Sequence, residues 1–134
     1  MCEASALASR RGGALFVAAW TLAVVTGAFL LRRYADSLPA PVVFLADIEA
    51  FHIVAHVFLY GTLTLGSARL LPRPGWAAPL LTMSVAFVQE AAQVWPFGRA
   101  IGWAGTFDLA VDATAMAAAL LWIRRREREA QPGA

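Results

Sequence analysis

Residues 14–31 read ALFVAAWTLAVVTGAFLL, a stretch without a single charge, held between Arg10-Arg11 and Arg32-Arg33. About 20 apolar residues in a helix span the hydrocarbon of a bilayer, so this block has the length of a membrane crossing. A cleaved signal peptide also places arginines before an apolar run. This run is longer than the apolar part of a signal, and Arg32-Arg33 stand where a cleavage site needs small residues. A retained helix is therefore expected.

Three further blocks of the same kind follow. Residues 51–71 end at Pro72-Arg73-Pro74-Gly75, residues 76–94 stop before Pro96-Phe97-Gly98, and residues 107–123 run into Arg124-Arg125-Arg126. Pro79 falls in the first turn of its block, where a missing N–H costs little. Composition agrees: 60% of the 134 residues are hydrophobic and 15% charged, with mean hydropathy +0.62. A soluble domain is nearer half apolar and a quarter charged, and a chain this short has no core large enough for the excess. The fold expected is all-α: one membrane domain over 1–134, a four-helix bundle with helices at about 14–31, 51–71, 76–94 and 107–123.

All eleven basic residues are Arg. Arg10, Arg11, Arg69, Arg73, Arg124, Arg125, Arg126 and Arg128 fall on one side of a four-span topology; Arg32, Arg33 and Arg99 fall on the other. Positive charge is retained in the cytoplasm, which puts both termini there and the first and third loops outside. The arginines flank apolar blocks instead of forming a stripe interleaved with aromatics, so nucleic-acid binding is not expected. The terminal Arg run reads as a topology anchor beside anionic lipid. Cys2, the one cysteine, permits no internal disulfide and no Cys-based metal site, and is expected in a flexible tail.

The polar residues within the spans are concentrated. His52 and His56 open the second block, Gln89, Glu90 and Gln93 close the third, and Asp108 and Asp112 open the fourth. In the topology above all share the outer depth, with Arg99 in the loop between the last two helices. The His pair and the Asp pair are each four residues apart, so each lines one helix face, and Tyr60 extends the His face by a turn. Ionisable groups in a span are costly and mark function or tight pairing. An outward-opening polar pocket of His56, Tyr60, Glu90, Gln93, Arg99, Asp108 and Asp112 is expected.

Two imidazoles and several carboxylates could hold a divalent metal, with His52, His56, Glu90, Asp108 and Asp112 as candidate ligands. His56 with Glu90 or Asp108 could instead move protons, and Arg99 could grip a phosphate or carboxylate. Each residue also has a plainer reading. His52 fits a headgroup interface, Tyr60 fits packing, Asp108 fits a helix N-cap, and Glu90 with Arg99 fits a structural ion pair. The small residues at 113–119 fit close helix packing.

Three blocks together resemble the VanZ-like membrane proteins. His56-Val57-Phe58-Leu59-Tyr60-Gly61-Thr62-Leu63 resembles their H-x-x-x-Y-x-x-L segment. Glu90-Ala91-Ala92-Gln93 with Pro96-Phe97-Gly98-Arg99 resembles an E-x-x-Q…p-G-R segment, and Asp108-Leu109-Ala110-Val111-Asp112 the D-x-x-x-(N/D) that opens the last helix. The likeness covers about 47–121 and departs at His52-Ile53, where relatives often carry Asp-Lys, and at Ala115-Met116, where a Gly is usual. It implies a multi-pass protein of the bacterial cytoplasmic membrane with a cell-envelope role, linked through the family's namesake to resistance to teicoplanin-type glycopeptides. Its expected partners are membrane lipid and a lipid-linked envelope precursor. An embedded hydrolase or transferase acting on a phosphate-bearing lipid, with or without a metal, and an accessory subunit of a larger complex are the alternatives.

Overall fold

The computed structural model of the chain describes residues 2–71 and 75–131, with side chains from Arg11 onward apart from those at 46 and 47. The Pro72-Arg73-Pro74 turn, and with it Arg73, lies outside the described residues, as do the side chains of Cys2 and Arg10.

The described chain is helical throughout, with no strand among the described residues. Five α-helices run α1 Cys2–Arg33, α2 Ala40–Asp47, α3 Glu49–Leu70, α4 Ala77–Val94 and α5 Trp103–Glu129. Three are long and apolar enough to cross a membrane, over Arg11–Arg33, Glu49–Leu70 and Trp103–Glu129. The helix ends carry their charges in the favourable sense: Glu49 opens α3, and Arg32-Arg33 and Arg69 close α1 and α3, against the helix dipole.

Several expected boundaries shift. The first apolar block is the middle of a longer helix, so the backbone expected as a tail at Cys2 is already helical. The first loop contains α2, a short apolar helix that opens after Pro39 with Pro41 in its first turn, where proline's missing N–H has no helical partner to lose. Its Val42, Val43, Phe44 and Leu45 are exposed. The last helix begins at Trp103, with Gly102 at its N-cap, so Asp108 lies inside the helix and caps nothing. Between α4 and α5 the chain makes a 3-10 turn, Trp95–Phe97, and reverses at Gly98, whose φ of +68° is open to glycine without a Cβ clash. The amide of Arg99 then donates to the Val94 carbonyl at 3.0 Å, capping α4.

Contacts fix the directions. Tyr60 meets Gln89 and Thr64 meets Thr82, so α3 and α4 are antiparallel. His52 meets Asp108 and His56 meets Asp112, so α3 and α5 are parallel. Trp20 donates from Nε1 to the Leu59 carbonyl at 3.0 Å, fastening α1 to α3. The α3–α4 pair is central, with α1 and α5 each packed on both. The apolar core joins Val24, Tyr60, Leu63, Val85 and Ala86.

The distribution of polarity is inverted relative to a soluble protein. His56, Thr64, Ser67, Thr82, Gln89, Glu90 and Asp112 are buried, whereas Leu15, Leu22, Phe44, Val54, Phe58, Leu80, Trp103 and Leu121 are well exposed. Water would favour the opposite arrangement; hydrocarbon favours this one, because only internal partners can satisfy polar groups there.

Candidate functional site

The parallel helices α3 and α5 carry two matched rungs. In the upper rung His52 Nε2 lies 3.1 Å from Asp108 Oδ2, with side chains 43% and 15% exposed. One helical turn deeper, His56 Nδ1 lies 2.8 Å from Asp112 Oδ1, with side chains 6% and 0% exposed. The i,i+4 spacing on each helix produces this repeat: side chains one turn apart stack on one face, and two parallel helices in register pair them level by level. The two imidazoles are tilted neighbours with centroids 4.5 Å apart, and Tyr60 follows at 5.8 Å from His56.

Helix α4 supplies the third wall. The Tyr60 hydroxyl donates to Gln89 Oε1, and Gln89 Nε2 donates to Glu90 Oε1 at 3.0 Å. Glu90 is held against α5 at Gly105, where a Cβ would stand 2.8 Å from Glu90 Oε2 and 3.0 Å from Ile101 Cγ2. Gly105 thus makes room for a buried carboxylate, three residues before Asp108 on the same face. Below Tyr60, Thr64 donates to the Tyr60 carbonyl at 2.7 Å and lies 3.3 Å from Thr82 Oγ1.

Of the residues expected to line a pocket, the fold brings together His56, Tyr60, Glu90, Asp108 and Asp112, joined by the candidate metal ligand His52, and they are bonded chiefly to one another or through Gln89. Gln93 is half-buried and makes no side-chain hydrogen bond among the described residues. Arg99 is exposed in the loop after Gly98, and its guanidinium has no ion pair among the described residues, so the Glu90–Arg99 bridge considered from sequence is replaced by the Glu90–Gln89 bond and the Gly105 contact. Both Asp residues have partners on α3 in place of the capping role considered for Asp108.

Sequence reading missed Gly105, Thr64, Thr82 and Ser67. Thr64 had a visible signal, since it continues the series His52, His56, Tyr60 at the same spacing. The polar residues therefore reach below the outer layer. Two buried oxygens, Ser67 Oγ and Asp112 Oδ2, have no hydrogen-bond partner among the described residues. Ser67 lines a separate, mainly apolar groove of about 840 Å³ between α1, α3 and α4, with Val17, Thr21, Leu81 and Val88.

No protein-family model, curated protein or solved structure matches the chain. The functional reading rests on its own residues.

Chemically, the cluster combines two imidazoles, three carboxylates and a phenol, sealed below and half-open above. Such a set can exchange protons, hold a cation, or offer donors and acceptors to a polar group entering from the half-exposed rung.

Proposed function

We propose that the chain is a VanZ-like protein of the bacterial cytoplasmic membrane whose polar cluster engages the headgroup of an envelope lipid or a lipid-linked precursor. In this reading α1, α3, α4 and α5 all span, as a four-helix bundle with both termini cytoplasmic. Helix α4 has 18 residues and a length of about 27 Å, close to the hydrocarbon thickness. Its Gln89 and Glu90, costly against lipid, are buried among the other helices. Of the eleven arginines, eight fall on the side this topology assigns to the cytoplasm and three on the other, which supports this orientation.

The observation that carries the proposal is the contrast between the two rungs. The His56–Asp112 pair is sealed, while the His52–Asp108 pair one turn above is partly open. That opening lies at the end of the helices where Arg99 is exposed in the connecting loop. A negatively charged headgroup meets Arg99 first and the imidazole of His52 next.

Teicoplanin susceptibility tests it, in a sensitive bacterium expressing the chain or its Glu90→Gln and Asp108→Asn variants at equal levels. Protection by the parent and loss in both variants is the expected result. Equal protection by all three would remove the cluster from the function, and no protection by a well-expressed parent would remove the glycopeptide link.

One observation favours a second reading, an embedded hydrolase or transferase acting on a phosphate-bearing lipid: His52, His56 and Asp108 are grouped closely enough to share an ion. Release of phosphate from defined lipids by the purified chain, lost in Asp108→Asn, would place it ahead of simple binding.

A further inference from the structure

We propose that His52, His56 and Asp108 bind one divalent transition-metal ion, zinc being the best-matched occupant, and that Asp112 positions His56 for it. The site is inferred from ligand geometry and stands independently of headgroup binding, so either can fail alone.

Distance is the first argument. One ligand atom from each of the three residues lies within 4.8 Å of the others. Around a tetrahedral zinc with bonds near 2.0–2.2 Å, ligand atoms stand roughly 3–3.5 Å apart. Closing that gap takes a small rotation of the outer residues, and His52, half-exposed at the head of α3, has the room for it.

Tautomer is the second. Asp112 Oδ1 lies 2.8 Å from His56 Nδ1; a carboxylate accepts there, so in the neutral ring Nδ1 carries the proton and Nε2 the lone pair. A carboxylate behind a histidine ring is the usual support of a metal-bound imidazole; it fixes the ring's orientation and raises its basicity. Asp112 is fully buried with Oδ2 unpartnered among the described residues, so its one side-chain hydrogen bond there is the one to His56.

Charge is the third. Glu90, Asp108 and Asp112 are gathered in one layer, and no arginine pairs with any of them among the described residues. Carboxylates in a membrane interior need compensation, and a dication on the two imidazoles supplies it. Two nitrogens and one carboxylate oxygen suit zinc better than magnesium or calcium, which prefer all-oxygen shells. Three protein ligands leave a fourth position on the exposed side, the arrangement of zinc sites that accept a water or an exogenous oxygen.

The test uses the full chain, carrying a tag without histidines, purified in detergent, stripped with chelator and titrated with Zn²⁺ against a chromophoric competitor and separately with Co²⁺. The expected result is one ion per chain with micromolar or tighter affinity, and a visible Co²⁺ spectrum of low-coordinate type. His52→Ala and Asp108→Ala each weaken zinc binding by at least about tenfold, and Asp112→Asn weakens it by about 10–100-fold at unchanged stoichiometry. Thr114→Ala, on the exposed face of α5, leaves binding as in the parent. Helical circular dichroism and a single gel-filtration peak establish folding; His52→Ala carries the comparison because its rung is half-exposed. A folded parent that takes up neither ion stoichiometrically overturns the proposal, as does a His52→Ala, Asp108→Ala double variant that binds zinc as tightly as the parent. Headgroup binding is read separately, by phospholipid pull-down on the metal-free chain.

Discussion

His56 Nδ1 stands 2.8 Å from Asp112 Oδ1 across the interface of α3 and α5, at a separation of 56 residues along the chain. His52 and Asp108 repeat the same offset one turn above. Equal offsets mean that the two helices run parallel and in register. The rungs differ in the nitrogen that meets the carboxylate, Nε2 of His52 against Nδ1 of His56, and in exposure, and the difference in exposure sets their energetics.

Removing one member of the sealed rung strands the other. Asp112→Ala is expected to destabilise the protein by about 1–3 kcal/mol, the cost of leaving the buried His56 N–H without its acceptor, whereas His52→Ala in the half-exposed rung costs less than about 1 kcal/mol. Asp112→Asn, which still accepts from His56 Nδ1, falls between. Equilibrium unfolding in mixed micelles reads all three, and equal losses at the two rungs would show that burial does not govern them.

The Tyr60–Gln89 bond makes a sharper case, because both groups are buried. Tyr60→Phe leaves Gln89 Oε1 without its donor and is expected to cost about 1–3 kcal/mol. Replacing both, as Tyr60→Phe with Gln89→Leu, removes the unmatched acceptor and recovers part of the loss, though Glu90 then loses its donor from Gln89. A double-mutant cycle in the same micelles measures this; strict additivity would contradict the bond.

Gly105→Ala introduces a methyl 2.8 Å from Glu90 Oε2 and 3.0 Å from Ile101 Cγ2. The expected outcome is a loss of about 1–3 kcal/mol from overpacking, set against about 1 kcal/mol of helix propensity gained over glycine. Glu90→Ala made together with it relieves the crowding, so the pair is less harmful than the sum. Thermal unfolding of the two single variants and the double variant decides it.

Topology follows from whether α4 crosses. Four spans require that an alkaline phosphatase fused after Pro39 or Ala100 be active outside the cell, and that one fused after Gly75 or Glu129 be inactive. A fusion after Ala100 that is inactive, together with one after Glu129 that is active, would leave only three crossings, with α4 not among them.

The presence of helices was legible in the sequence because hydrocarbon imposes a length. Blocks of roughly 20 mainly apolar residues stand out against arginine, proline and glycine, and α3 and α4 begin and end within two residues of the expected limits. Helix ends without such punctuation were less visible. The extension of α1 to Cys2 and of α5 to Glu129 passes through polar residues that hydropathy does not count as span, and α2 is too short to cross. The beginning of α5 at Trp103 was hidden because Gly102 offers no side-chain cap.

By itself, the sequence determined that this is a helical chain with apolar segments of membrane length, and that its ionisable residues fall at matching ends of three segments, since both follow from local composition and the 3.6-residue period. Tertiary structure alone decided the partners. Asp108 pairs with His52 instead of capping α5, Asp112 selects His56, and Glu90 turns to Gln89 and the gap at Gly105 while Arg99 stays outside. Those choices depend on the register between α3 and α5 and on how closely α4 approaches them, and helix spacing along a chain carries no information about register between helices.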